Sequence, residues 1–354
     1  MSRFTKRILA LTVALIMVLG ILPLGTINKA HASGTDGTIE ERIFGSKIVA
    51  MKHSVVQSTS SARVMVQLED GSIWGWGGNS NGLLGIDRKF GQVLTPKKLD
   101  IQGIGSLDNV YMNGDHTYII KEDGTVVLIH AGQEGEPIEI PELKNIKDIV
   151  ICSDSGSSPN NYNLALTHDG AVYRWNTLTD GTIYTPRILD GLEDGVKAIY
   201  GVTNRNSGIM ILKEDGTLWS RGSNQSGTLG LGLDPDNPNQ SYSSELKRVG
   251  TLTDIVEVYT SPRLNSRLSV YALQSDGTLW GWGHNGFRQL GDGTGTQRNS
   301  PVKGPELSQT KKLVIHNFKV YQLKEDGTVY AWGSNSSGQL GDGGTESRVT
   351  PVKL

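Results

Sequence analysis

One unit recurs along this chain about every fifty residues: an Asp-Gly turn between two apolar stretches. The aspartates of these turns are spaced 46 to 61 residues apart, at positions 70, 123, 169, 215, 276 and 326. Asp-Gly tolerates the positive backbone angles of a tight hairpin, so each pair predicts a turn between two strands. A period near fifty residues with strand-turn-strand content indicates a propeller or a solenoid.

Each unit holds further strand signals. Residues 63–68 and 72–76 flank the first turn and have the β-branched and aromatic content of strands. A polar, glycine-rich loop follows, and then a short strand led by proline, as at Thr95-Pro96 and Thr350-Pro351. Another apolar strand comes next, so each unit supplies about four strands, the content of one propeller blade. The second and third units have lost most of their glycines and read as trimmed blades.

The two ends of the repeat region complement each other. The chain stops after a proline-led strand, and residues 46–51 read as the strand that should follow it. Pairing these ends would leave no sheet edge exposed. We therefore expect an all-β fold, a single β-propeller over residues 43–354 with six blades, closed by pairing of the N- and C-terminal strands. Seven blades is the alternative.

The first 32 residues look like a leader rather than part of the fold. Basic residues at positions 3, 6 and 7 precede an apolar run from Ile8 to Leu24, and Ala30-His31-Ala32 fits a signal-peptidase site. We expect a signal peptide over 1–32, a short linker over 33–42 and a secreted, extracellular protein. An N-terminal membrane anchor is the alternative, and no later segment is apolar enough to span a membrane.

The net charge of the mature chain limits the classes of partner that we expect. The mature chain would keep 30 basic and 36 acidic residues, a net charge of −6, because the leader holds four basic residues and no acidic ones. Nucleic-acid binding needs a clustered basic footprint, so we expect no nucleic acid as partner. The chain has a single cysteine, so a core rather than an intrachain disulfide must stabilise it.

Gly-Trp-Gly-x-Asn followed by Gly-Gln-Leu-Gly, placed after Leu-x-x-Asp-Gly, resembles the repeat of the regulator of chromosome condensation (RCC1-like) family. The motifs are strong in units one, four, five and six and weak in units two and three. The resemblance implies a propeller of four-stranded blades, usually seven. The best-known members are nucleotide-exchange factors for a small GTPase on chromatin, which an exported chain would not meet. Secreted bacterial propellers of this class, including β-lactamase inhibitors, are the closer analogy, on fold and compartment alone.

No pattern of reactive residues points to catalysis. The histidines show neither a paired ligand spacing nor a nucleophile elbow. The acidic loop at Asp234-Pro235-Asp236 lacks the glycine and distal glutamate of a calcium loop. Asp292 and Asp342 lie in Gly-Asp-Gly turns, where a bond to the backbone is the simpler role. We expect no catalytic residue, cofactor or metal, and tryptophans that serve chiefly as core, with a sugar- or protein-binding array at one mouth as the alternative.

The units differ in the length of one connecting loop, and this difference is informative about function. The connection between the apolar strand and the next hairpin is long at 53–62, 153–163, 203–207 and 260–267, and short in units two and six. Equivalent loops in a propeller emerge on one face, so long ones build one contact surface. The side chains that we expect to contact a partner there, together with a tyrosine from a second insertion, are Asn160, Tyr162, Arg205, Arg263, Asn265, Arg267 and Tyr242.

These observations predict a monomeric, exported, non-enzymatic interaction module that binds a protein or a cell-wall or surface glycan. Three alternatives stay open: a polysaccharide-acting enzyme that uses carboxylates at the central channel, an inhibitor like those of β-lactamase, and a purely structural spacer or adhesin fragment. The long loops can also be explained without a function, as sequence drift that is tolerated in solvent.

Overall fold

The computed structural model describes residues 46–54, 62–79, 82–86, 91–99, 101, 103–112, 116–130, 137–151, 162–178, 181–202, 208–232, 242–260, 268–306, 309–316 and 318–354. The leader and linker predicted for 1–42 lie outside these ranges. Within them the chain forms 24 strands in six four-stranded antiparallel sheets. We number the sheets, or blades, 1 to 6 in chain order.

The strands of blades 1 to 3 are β1 Ile48–Ser54, β2 Arg63–Leu68, β3 Ile73–Gly78, β4 Gln92–Lys98; β5 Val110–Met112, β6 His116–Ile120, β7 Val126–His130, β8 Ile138–Ile140; β9 Ile146–Ile151, β10 Asn163–Thr167, β11 Val172–Trp175, β12 Arg187–Ile188. Those of blades 4 to 6 are β13 Val196–Gly201, β14 Ile209–Lys213, β15 Leu218–Ser223, β16 Tyr242–Arg248; β17 Ile255–Thr260, β18 Ser269–Gln274, β19 Thr278–Gly283, β20 Arg298–Glu306; β21 Thr310–His316, β22 Lys319–Lys324, β23 Val329–Gly333, β24 Arg348–Lys353.

The predicted all-β propeller of six blades is confirmed, and every Asp-Gly pair joins the second and third strands of a blade. The predicted pairing of the N- and C-terminal strands is wrong. Strand β1 pairs with β2 and β24 with β23, so no blade is shared between the ends. The apolar strand that follows each proline-led strand is the first strand of the next blade, whereas the prediction made it the last strand of the preceding unit.

Two observations orient the blades. Neighbouring blades approach one another through their first strands, β5 with β9, β9 with β13 and β13 with β17, so first strands lie nearest the propeller axis. The fourth strands are the outer edges, where proline removes no ladder hydrogen bond; Pro96, Pro301 and Pro351 all lie there.

The core lies between the blades rather than inside any one of them. Five clusters of buried apolar side chains fill the boundaries of blades 1 and 2, 2 and 3, 3 and 4, 4 and 5, and 5 and 6. The tryptophans at 175, 282 and 332 are buried in these clusters, as expected for core residues. Among the described residues, no helix has the length and apolar character to cross a membrane.

Candidate functional site

One end of the propeller collects two connections from every blade. Because the four strands alternate in direction, the first-to-second and third-to-fourth connections leave a blade at the same end. The Asp-Gly hairpins leave at the other. We call the first end the loop face. Its first-to-second connections span 55–62, 113–115, 152–162, 202–208, 261–268 and 317–318, so they are short in blades 2 and 6, as predicted.

The asparagine of Trp-Gly-x-Asn holds each glycine-rich loop on this face. In blade 5, the buried Asn285 accepts a hydrogen bond from the Leu290 amide at 3.0 Å and donates to Asp292 Oδ1 at 3.1 Å. Asn335 does the same in blade 6, with the Leu340 amide at 2.8 Å and Asp342 Oδ1 at 3.0 Å. These hydrogen bonds pair the buried side-chain oxygen and nitrogen of each asparagine and fix the conformation of the loop. We call them the loop clamp, and the loops so held form a rigid platform.

The aspartates of the Gly-Asp-Gly turns accept backbone hydrogen bonds as predicted, Asp292 from Thr294 and Asp342 from Gly344. Each also pairs with an arginine six residues later, Arg298 Nε at 2.8 Å and Arg348 Nε at 2.6 Å. The Arg348 hydrogen bond holds the pKa of Asp342 below its ordinary value. These pairs tie the start of the fourth strand to the loop before it.

A cluster of three aromatic rings lies on the loop face where blades 5 and 6 meet. The rings of Phe287 and Phe318 are stacked with centroids 4.4 Å apart and planes at 20°, and the His284 ring lies 5.6 and 5.9 Å from them. All three side chains are partly exposed. Phe318 occupies the two-residue turn of blade 6 with φ of 65°, a conformation that costs a bulky residue about 1 kcal/mol or more.

The residues predicted to contact a partner differ in their exposure to solvent, and most of them lie outside the described ranges. Tyr162 is 3% exposed, belongs to the core between blades 3 and 4, and stacks under the Arg174 guanidinium at 4.4 Å. Its assignment to the contact surface is corrected, because the ring lies where the loop enters β10 and is buried between blades 3 and 4. Tyr242 starts β16 and is 39% exposed. Asn160, Arg205, Arg263, Asn265 and Arg267 lie outside the described residues.

A second group of polar side chains lines the axis, on the innermost strands. Tyr111 of blade 2 donates from its hydroxyl to Asp148 Oδ1 of blade 3 at 2.9 Å. The Lys52 ammonium of blade 1 lies 5.1 Å above the Tyr111 ring and donates to the Asp108 carbonyl at 2.6 Å. In blade 5, the Tyr259 hydroxyl donates to Glu257 Oε2 at 2.6 Å. With Tyr200 of blade 4, these residues form the axial cluster.

Strand register explains why these residues meet. Lys52, Tyr111, Tyr200 and Tyr259 occupy the same position of β1, β5, β13 and β17, and Asp148 and Glu257 share the position two residues earlier. Pairing to equivalent residues of the second strands fixes this equivalence. No sequence spacing pairs Asp148 with Glu257, because the two carboxylates lie in blades far apart in sequence. Aligning the six inner strands would have found the tyrosines.

Burial dominates the electrostatics of the axial cluster. It raises the pKa of Asp148, against hydrogen bonds from Tyr111 and the Ile149 amide that lower it. It also lowers the pKa of Lys52, with opposing attraction from Asp108 and Asp148. The pKa of Tyr200 is raised, first by burial and then by the charges of Glu257 and Asp148. Hydroxyls, carboxylates and aromatic faces in one narrow space are suited to polyhydroxylated or cationic groups. No group of metal-ligating side chains occurs within the described ranges.

The family model of the "Regulator of chromosome condensation (RCC1) repeat" matches residues 276–316 and 326–354, which hold the third and fourth strands of blade 5 and the first, third and fourth strands of blade 6. The chain is an RCC1-like repeat protein. The protein named Regulator of chromosome condensation from Mus musculus is 22% identical over 323 residues, 81% of this chain and 74% of that protein. The E3 ubiquitin-protein ligase HERC2 of Homo sapiens is 25% identical over 263 residues, 67% of this chain and 5% of its own.

Solved structures agree on the fold of this RCC1-like chain. Yeast RCC1 (Prp20), crystallised with Kap60, superposes with a TM-score of 0.59 at 18% identity over 87% of this chain and 74% of its own. Human WBSCR16 gives a TM-score of 0.58 at 17% identity over 87% and 82%. At such identities the likeness establishes the propeller fold alone.

Proposed function

We propose that this RCC1-like protein is an exported, non-enzymatic module that binds a protein or a cell-surface polymer through its loop face. The observation that carries the proposal is the ring cluster of His284, Phe287 and Phe318. Stacked, partly exposed aromatics on a rigid platform are the usual anchors of binding surfaces. The strained backbone of Phe318 at a surface position supports the same role, because strain concentrates where a residue serves more than folding.

The class of partner is supported by the relatives. One solved structure is described as that of Prp20p from Saccharomyces cerevisiae, with its binding properties to Gsp1p and histones. We take from it only that a propeller of this repeat can bind proteins. The net charge of −6 for residues 33–354 and the signal-like leader argue for a partner outside the cell, without a nucleic-acid component.

Binding is tested with the protein recovered from culture medium and immobilised. The secreted proteins and the wall polymers of the producing cells are passed over it as two separate probes. A Phe287→Ser, Phe318→Ser variant should retain roughly a tenth or less of the bound material, as expected for loss of a central anchor. Leu354→Ser is the matched control, because Leu354 is 47% exposed at the opposite end of blade 6.

Equal retention by both variants would reject the aromatic cluster as the anchor. No retention of either probe by the unaltered protein would reject the proposed function. Export has its own measurement: N-terminal sequencing of the secreted protein should begin at Ser33, and a protein found only in the cell would contradict it.

The axial cluster supports the second candidate, a polysaccharide-acting enzyme at the central channel. Asp148 and Glu257 occupy the same register position in the inner strands of blades 3 and 5. A pair of carboxylates is the usual machinery of glycoside hydrolysis. Release of reducing ends from wall glycans, abolished in Asp148→Asn and Glu257→Gln variants, would favour the enzyme over the binding module. A β-lactamase-inhibitor-like role rests on fold and compartment and is tested by inhibition of a purified β-lactamase.

A further inference from the structure

Near the Asp-Gly end of the blades, the third and fourth strands repeat one pair of side chains. An aromatic residue of the third strand lies directly opposite a lysine or arginine of the fourth strand. Directly opposed residues of an antiparallel pair project from the same face of the sheet, with Cβ atoms about 4.5–5.5 Å apart. We call these the rim pairs, and they occur in blade 1 and in the three consecutive blades 4, 5 and 6. They are Trp74 with Lys98, Trp219 with Arg248, Trp280 with Lys303, and Tyr330 with Lys353.

The rim pairs of blades 4 to 6 are in contact with solvent. The aromatic rings of Trp219, Trp280 and Tyr330 are partly exposed, and their cationic partners on the fourth strands are exposed. Trp219 also packs on the core cluster between blades 3 and 4, and Trp280 packs on the one between blades 4 and 5. Each of these two rings is therefore supported by core residues and keeps part of its surface in water.

Hydrogen bonds fix the orientation of the two indoles. Trp219 Nε1 donates to Thr217 Oγ1 at 2.9 Å, and that hydroxyl donates to Asp215 Oδ1 at 2.6 Å. Trp280 Nε1 donates to Gln274 Oε1 at 2.7 Å. A ligand that stacks on these rings would find them already ordered, so binding would cost little side-chain entropy.

The backbone fixes the spacing between the rim pairs of blades 4 and 5. The Asp-Gly hairpins of these blades both bond to the turn that joins them. The Ile255 amide donates to the Gly216 carbonyl at 3.0 Å, and the Ser275 amide donates to the Asp254 carbonyl at 3.0 Å. Packed sheets lie about 10 Å apart. The rim pairs therefore repeat from blade to blade at regular steps, and such a surface matches an occupant that itself repeats, which is a polymer.

Charges of both signs surround the rim pairs. In blade 4, the Lys213 ammonium lies 5.0 Å from the centroid of the Trp219 ring, and Arg248 lies on the adjacent strand. Hydrogen bonds from Thr217 hold the pKa of Asp215 below its ordinary value, and attraction to Lys213 and Arg248 lowers it further. Blade 6 repeats this arrangement with Lys324, Tyr330, Lys353 and Asp326. The aspartates would repel a polyanion, so the surface favours a neutral polymer.

We propose that the rim pairs of blades 4 to 6 bind a neutral, linear polysaccharide. A pyranose ring has a face of C–H groups that packs on the negative face of an aromatic ring. Its hydroxyls accept hydrogen bonds from lysine and arginine and donate them to carboxylates, and hydrogen bonds to charged groups are the stronger class. Sugars along one strand would meet equivalent groups in neighbouring blades. The site lies at the opposite end of the blades from the loop face, so it does not rest on the function proposed there.

Affinity electrophoresis tests the binding. The purified protein is run in native gels that contain hydroxyethylcellulose, a mixed-linkage β-glucan, an arabinoxylan or polygalacturonate, with a polymer-free gel as reference. We expect at least one of the three neutral polysaccharides to retard the protein, and polygalacturonate to leave its mobility unchanged. The same mobility in all gels would overturn the proposal, and so would retardation by polygalacturonate alone.

Replacing the aromatic rings tests the stacking. The Trp280→Leu, Tyr330→Leu variant removes two neighbouring rings but keeps apolar side chains, and it should bind about tenfold more weakly or worse. The Trp280→Phe, Tyr330→Phe variant keeps the rings and should retain most of the affinity. Tyr184→Leu, Tyr242→Leu is the matched control, because these tyrosines are 55% and 39% exposed and lie outside the rim pairs. Unchanged binding by the first variant would show that the rings serve packing alone.

Replacing the cations tests the polar contacts without disturbing the core. The Arg248→Ala, Lys303→Ala variant should bind about threefold more weakly or worse, because two charged donors to sugar hydroxyls are lost. Both side chains are exposed. Lys247→Ala, Lys311→Ala is the charge-matched control: both lysines are exposed, and Lys247 precedes Arg248 on the opposite face of β16. Equal binding by the two variants would reject the cations as part of the site.

The loop face has its own control. The Phe287→Ser, Phe318→Ser variant should bind polysaccharide as the unaltered protein does, so a failure of the rim pairs and a failure of the loop-face function give different results. Loss of polysaccharide binding in that variant, with the rim variants unaffected, would place the polymer on the loop face and overturn the proposal. Circular dichroism of every variant distinguishes a lost contact from a lost fold.

Discussion

Trp332 Nε1 of blade 6 donates a 2.9 Å hydrogen bond to the carbonyl oxygen of Gln289 in blade 5. Trp282 and Thr228 make the same contact between blades 4 and 5, also at 2.9 Å. The indole is fully buried in both cases, so each bond has no water to replace it. The tryptophan of the repeat thus makes a hydrogen bond between adjacent blades and also packs in the core.

The first prediction concerns this bond. Trp332→Phe keeps most of the apolar ring and removes one of the two donors to the Gln289 carbonyl, which retains the Tyr271 hydroxyl at 2.7 Å. The lost hydrogen bond should cost about 0.5–1.5 kcal/mol of unfolding free energy. Trp219→Phe is the control, because its Nε1 bonds only Thr217 Oγ1 within its own hairpin, in a half-buried position. Urea unfolding measures both. Equal losses would show that the inter-blade bond adds nothing.

The second prediction concerns the loop clamp. Asn285→Ala removes a buried acceptor and donor at once and leaves the Leu290 amide without its side-chain partner, at a cost of about 2 kcal/mol or more. Asn285→Asp should be at least as harmful at neutral pH, since a second carboxylate would face Asp292. Ser336→Ala, on the exposed part of the next blade's loop, should leave the urea midpoint unchanged.

The third prediction compares two glycines with the same backbone conformation. Gly291 and Gly341 have φ of 69° and 79°, so alanine strains both by about 1 kcal/mol. Gly291→Ala should cost about 1–3 kcal/mol more, because its methyl would press on Trp332. Thermal unfolding at low protein concentration gives the comparison. Similar losses of unfolding free energy in the two variants would mean that Trp332 shifts at little cost to accommodate the methyl group at position 291.

The fourth prediction concerns pH. Because burial raises the pKa of Asp148, the folded protein holds its proton more tightly than the unfolded chain does. That contribution to stability is present below the ordinary aspartate pKa of about 3.9 and is lost as the pH rises through the raised pKa. Asp148→Asn should therefore gain stability relative to wild type as the pH rises from 4 to 7. The exposed Asp190→Asn is the charge-matched control, and parallel curves for all three proteins would contradict the assignment.

The fold could be predicted from local chemistry. Asp-Gly pairs fix hairpins, and proline marks outer strands, because each effect acts within a few residues. The assignment of β1 to a shared blade failed for a different reason. Both the strand before and the strand after a hairpin pair are apolar, so the sequence leaves open where one unit ends. Only the pairing of Ile48–Ser54 with Arg63–Leu68 decides it.

The candidate sites were harder to predict because they depend on contacts between units. Phe287 and Phe318 meet only when blades 5 and 6 pack, and Tyr111 meets Asp148 only across the boundary of blades 2 and 3. Tyr162 looked like a loop residue in sequence, yet it lies at the point where the loop re-enters the core. Residues next to a strand cannot be assigned to solvent from composition alone.

Completion of every blade by four successive strands has a consequence for biogenesis. Each blade can finish its own hydrogen-bonded ladder once about fifty residues have left the ribosome, without waiting for a distant end of the chain. Duplicating or deleting one gene segment of that length would add or remove a whole blade and leave the others intact. The number of blades in such a protein is therefore free to vary, and only the two outermost faces must adapt.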